Sequence, residues 1–153
     1  MLAVWLGGGA SSVARQLRDV RAACQAADVC TVDGERLGRL WRAIEDFGRG
    51  GEFAVIAKVS TPPAATGELL ARLSPSTPVV SHVLSGITYV FAGAAPDVAG
   101  LDGCMVLERC PAELKSPELV WGPPGADYKL MERLKQQFDP HGMFNPGRYV
   151  GGL

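Results

Sequence analysis

Apolar residues in the first third of the chain recur at helical spacing between two short β-rich runs. Val13, Leu17, Val20 and Cys24 follow the i, i+4, i+7, i+11 pattern of one helical face, with arginines on the other side. Leu37, Leu40, Trp41, Ile44 and Phe47 predict the cleanest amphipathic helix of the chain, stopped by Gly48. Residues 2–7 and 29–32 are expected to be strands flanking the first helix, with Ser11 or Ser12 as its cap. After the turn at Gly50-Gly51, residues 53–60 read as a mostly apolar strand, broken by Pro62-Pro63. A short helix over 66–73 presents Leu69, Leu70 and Leu73. Runs at 79–84 and 87–92, separated by Ser85-Gly86, predict a hairpin, and 104–108 a further strand. Pro111, Pro117, Pro123 and Pro124 make 110–125 an irregular surface connection, with Trp121 anchored on the last helix. That helix covers 126–138, with Leu130, Met131, Leu134 and Phe138 facing inward. It ends at Asp139-Pro140, because the residue before a proline disfavours helical backbone.

The order of elements mixes crossovers with a hairpin. It predicts an α+β fold, a largely antiparallel sheet with helices packed on one face. Composition agrees: 153 residues, 47% hydrophobic and 20% charged, are enough to bury a core. A net charge of −1 provides no basic field for nucleic acid or anionic membranes. No apolar run reaches the ~18–20 residues that span a bilayer, and no basic segment precedes the apolar start. The expected location is therefore cytoplasmic. Cys24, Cys30, Cys104 and Cys110 match neither Cys-x-x-Cys nor the usual iron–sulfur spacings. They are expected to be reduced, mostly buried thiols, with no metal site.

The first 33 residues imitate a dinucleotide fold. An apolar run enters Gly7-Gly8-Gly9-Ala10-Ser11-Ser12, a helix follows, and a second run ends at Asp33, near where a ribose-binding acid would stand. Ser12 replaces the third glycine, and the later pattern turns to a hairpin. A turn leading into a helix is the preferred reading, and a small dinucleotide-binding domain using the Gly7 to Ser12 loop is an alternative.

The most specific segment is Phe138-Asp139-Pro140-His141-Gly142-Met143-Phe144-Asn145-Pro146-Gly147-Arg148. It predicts a helix stop and two tight turns, Asp-Pro-x-Gly and Asn-Pro-Gly. Met143 and Phe144 would pin the tail to a surface, and His141 would be exposed. The segment closely resembles the C-terminal signature of the FAD-linked oxidases of the vanillyl-alcohol oxidase type. Leu134-Lys135-Gln136-Gln137 and Tyr149 are similar to the E subunits of bacterial glycolate oxidases. Weaker similarity lies at Leu40-Trp41-Arg42 and at Leu84-Ser85-Gly86-Ile87 with Tyr89.

The resemblance implies a ferredoxin-like cap domain over residues 1–125. Residues 126–153 would be the helix and tail that return to an FAD-binding domain. It implies FAD as cofactor, held mainly by that domain, which normally precedes the cap and has no counterpart in these residues. The isolated chain is accordingly expected to be inactive and not to hold FAD tightly. The implied activity is oxidation of a small 2-hydroxy acid such as glycolate. The implied partners are a D-type flavin subunit and an iron–sulfur F-type subunit, through which any contact with the inner membrane would be made. Asn145 and Arg148 would lie near the cofactor, Arg148 also near the substrate carboxylate, which its planar fork pairs bidentately. His82, alternating with Val80 and Leu84 on a strand, is either a hydrogen-bonded core residue or a candidate proton acceptor lining the active site. With two histidines in the chain, no nucleophile–histidine arrangement is recognisable. The other reading of the whole is a cofactor-free subunit-interaction module.

Overall fold

The computed structural model describes residues 3–24 and 29–153. The chain divides into two compact units, Met1–Ala43 and Ile44–Leu153. This is a division by contacts, distinct from the functional division at 125/126 expected from the resemblance.

The first unit is built on α1 (Ala10–Ala23) and most of α2 (Gly34–Glu45). Val13, Leu17, Val20 and Cys24 are all half-buried, as their spacing predicts. None of the unit's described residues is fully buried. The two expected strands are not formed: residues 3–7 and 29–33 are irregular, and Leu2 lies outside the described residues. A strand exists only where a neighbour takes up its backbone groups, and β propensity cannot supply one. The cap also differs. Ser11 and Ser12 lie inside α1, whose N-cap is Gly9, and Ser12 Oγ accepts a bond from Gln16 Nε2 at 3.0 Å. The Trp5 and Trp41 rings meet at 5.7 Å.

The second unit carries the sheet: β1 (Val55–Ser60), α3 (Thr66–Arg72), β2 (Val79–His82), β3 (Ile87–Ala92) and β4 (Cys104–Arg109). The order is β2-β3-β1-β4, with every pair antiparallel. A β1–α3–β2 crossover followed by a hairpin and a return to β4 beside β1 is a ferredoxin-like arrangement. Here residues 93–103 return without a helix, tied to α3 by Arg72, whose guanidinium donates to Ala99 O and to the Glu68 carboxylate, each at 2.6 Å.

Alternation along β1 puts Val55, Ala57 and Val59 on the core face, opposite Ala92, Val90 and Thr88 of β3. Leu69 of α3, Leu107 of β4 and Cys110 complete that core, and Val120 packs against it. Each large aliphatic side chain buried here contributes about 1.5–3 kcal/mol. Thr88, also fully buried, satisfies its hydroxyl on Ser81 Oγ at 2.8 Å. The hairpin turns where expected. Gly86 has φ +67°, and a Cβ there would lie 1.8 Å from the carbonyl oxygen of Thr61, which no side chain tolerates.

The residues on the other sheet face are mostly half-buried. A row of partners crosses all four strands there: Val80, Tyr89, Lys58 and Val106. At one end Phe47, Phe53 and Phe91 cluster, with Phe47 edge-on to Phe91 at 4.8 Å.

Three further expectations are corrected. The proline-rich stretch is not wholly irregular: it contains α4 (Pro117–Trp121), with Pro117 in the first turn and Ser116 Oγ accepting from the Leu119 amide at 3.2 Å. Proline blocks helix interiors but suits helix starts, so its frequency overstated the irregularity. The last helix, α5 (Tyr128–Phe138), does not turn its apolar side inward; Leu130, Leu134 and Phe138 are 60%, 47% and 78% exposed, and Met131 is half-buried. The cysteines are free, but Cys30 and Cys104 are exposed rather than buried.

Candidate functional site

The tail after α5 is built around one carboxylate. Asp139 caps the end of α5, and its side chain is buried. Its Oδ1 accepts from the Met143 amide at 2.8 Å, and its Oδ2 from the Phe144 amide at 2.9 Å. Lys135, one helical turn earlier, donates to Asp139 Oδ2 at 2.5 Å and to the Phe144 carbonyl at 2.6 Å. The lysine and the aspartate thus clamp both ends of the segment between the two turns. The Lys135 hydrogen bond, then the Phe144 amide and with a smaller part the Met143 amide, hold the Asp139 carboxyl down to about 2, against a smaller opposing push from burial.

Both turns form. Gly142 N–H donates to Asp139 O at 3.0 Å, and Arg148 N–H to Asn145 O at 3.1 Å. The second has Pro146 and Gly147 at its centre, and Gly147 takes φ +70°. Asn145 itself has φ +47°, a left-handed conformation that asparagine tolerates better than most residues. Met143 and Phe144 do not pin the tail through their side chains, which are 74% and 68% exposed. Their backbone amides do the pinning, so the side chains are presented outward.

The end of the tail is held separately. Trp121 Nε1 donates to the Arg148 carbonyl at 3.1 Å, and the Tyr149 ring stands edge-on to the indole at 5.2 Å. Trp121 therefore anchors the tail rather than the last helix. The Arg148 side chain is exposed and makes no ion pair among the described residues. Asn145 and Arg148 lie on one turn, so their backbones are close together.

His82 stands elsewhere, at the end of β2. It is exposed, which removes the core reading, and its ring lies edge-on to Tyr89 at 6.3 Å. His141 is exposed as expected. The glycine loop at residues 7–9 does not sit at the end of a strand, and the sheet is antiparallel throughout, so the dinucleotide reading loses its geometry. Asp33 is exposed and starts a helix, its carbonyl accepting from the Leu37 amide at 3.2 Å. Among the described residues no group of three or more His, Cys, Asp or Glu could hold a metal ion. No helix there is long and apolar enough to cross a membrane.

Sequence reasoning missed the clamp. The signal was present in the i, i+4 spacing of Lys135 and Asp139. It was masked because Asp139 already had a role before proline.

Residues 114–149 match the family described as FAD linked oxidases, C-terminal domain. The match covers α4, α5 and both turns. No curated protein and no solved structure matches the chain. The clamped tail is thus the part of the chain that is similar to a C-terminal domain of FAD-linked oxidases, a family of oxidoreductases that use FAD.

Proposed function

We propose that the chain is the C-terminal cap part of an FAD-dependent 2-hydroxy-acid oxidase or dehydrogenase, of the kind represented by the E subunit of glycolate oxidase. The observation that carries this reading is the clamped tail: two rigid turns, fixed by Asp139 and Lys135, at the end of a helix whose Leu130, Leu134 and Phe138 are exposed. Hydrophobic side chains held outward on rigid backbone suit a surface that another domain covers. In this reading that domain binds FAD, which accepts a hydride from the substrate α-carbon.

In this reading FAD is held mainly by that domain, and the chain contributes to the edge of the flavin site. Asn145 and Arg148 would contribute at that edge, Asn145 by its amide and Arg148 by a guanidinium suited to a carboxylate. His82 would be available on the sheet to take a hydroxyl proton. D-type flavin and iron–sulfur F-type subunits would be the partners, in a cytoplasmic complex. The exposed stripe of α5 also fits a cofactor-free subunit interface, and one experiment separates the two. The chain is mixed with the flavin-binding half of an FAD-linked oxidase and FAD, then passed over a sizing column. Co-elution with a flavin absorption band, lost in Phe138→Asp, supports the cap reading. Co-elution without bound flavin favours the interface module.

A further inference from the structure

Beyond Cys110 the chain leaves the edge strand β4 and folds back over it through α4. An open cleft of ≈ 330 Å³ lies between them and the tail, at the lower end of the range of small-ligand sites. Its floor is apolar: Leu107 is buried, and Val120 and Trp121 are half-buried. Three charged residues line it from separate segments, Glu108 on β4, Lys115 ahead of α4 and Arg148 on the tail. None of them makes an ion pair among the described residues. Two cations and one anion leave the cleft with a charge of +1.

The cleft is also held in shape. The indole bond to the Arg148 carbonyl fixes the backbone at the rim, and the Tyr149 ring braces the indole from the side. The Arg148 guanidinium is left free to reach a ligand.

We propose that this cleft binds a small monoanionic carboxylate with an apolar body. The carboxylate would lie between Arg148 and Lys115, and the body on Trp121 and Leu107. A planar guanidinium matches a carboxylate in two parallel hydrogen bonds, and the lysine adds a point charge. Glu108 opposes a second negative charge, which disfavours phosphate. The apolar floor gains from covering hydrocarbon and gains nothing from a small hydrated ion. The inference rests on the cap reading in one respect, since both turn the Arg148 guanidinium to a carboxylate, but binding in the cleft needs no flavin and is read without it.

The test is a titration of the ¹⁵N-labelled chain with phenylacetate, with phenylacetamide as the neutral match and inorganic phosphate as the dianion. The expected result is saturable shifts of the Trp121 indole and the Gly147 and Arg148 amides with phenylacetate alone or much the most tightly. Arg148→Gln and Lys115→Gln should each weaken binding about tenfold, the effect of losing one charge-assisted hydrogen bond. Both side chains are exposed, so the rest of each variant's spectrum should overlay the wild type, which separates lost binding from lost fold. The proposal is overturned by the absence of saturable shifts, by equal binding of the amide or of phosphate, or by variants that bind as wild type.

Discussion

Asp139 decides the geometry of the tail, and its chemistry makes that testable. A carboxyl held at about 2 contributes its stabilisation fully above the ordinary carboxyl range near 3.8, and loses it as pH falls through about 2. The Met143 and Phe144 amide proton shifts should therefore titrate together with a midpoint near 2; a midpoint near 4 would mean that the clamp does not form in solution. Removing the ammonium in Lys135→Met should move that midpoint up towards the ordinary range, because the largest of the stabilising contacts is gone. At this scale the sequence was legible in its turns: Asp-Pro-x-Gly and Asn-Pro-Gly closed as their proline and glycine positions predict. The clamp was not legible, since it depends on a carboxylate meeting amides four and five residues ahead, and the turn brings those amides round only once it has formed.

Helices and strands differ in what their patterns reveal. Apolar runs bounded by glycine and proline turns identified β1, β3 and β4 as strands, and in β1 buried and half-buried positions alternate as a strand with one side on the core requires. Helical periodicity identified α5 but not what covers it: an amphipathic stripe reports that an apolar face exists, not which molecule meets it. Paired substitutions separate the two cases. Leu69→Ala, at a fully buried position in α3, should lower the unfolding free energy by about 2–5 kcal/mol in denaturant titration. Leu134→Ala, exposed on α5, should stay within about 0.5 kcal/mol of wild type. Equal losses would mean that α5 is packed in the folded chain. The two N-terminal apolar runs show the opposite failure: their composition suits strands, but they have no partner strand among the described residues, and such residues stay irregular without one.

For the chain as a whole, the sheet unit has a closed core, while its C-terminal helix and turns hold apolar side chains out to solvent. The fold class was readable from element order, and the tail's similarity to the FAD-linked oxidases from eleven residues of turn chemistry. The direction in which α5 faces could not be read, because an amphipathic stripe does not say which surface meets it. In the function proposed above, α5 and the two turns are covered by a flavin-binding domain. Hydrogen exchange of the chain, with and without an FAD-loaded flavin-binding half of an FAD-linked oxidase, tests this most directly. The expected result is slowed exchange concentrated in residues 128–149, and unchanged exchange in α3. Unchanged exchange throughout 128–149 while the partner protects other parts of the chain, or no protection anywhere, would contradict it.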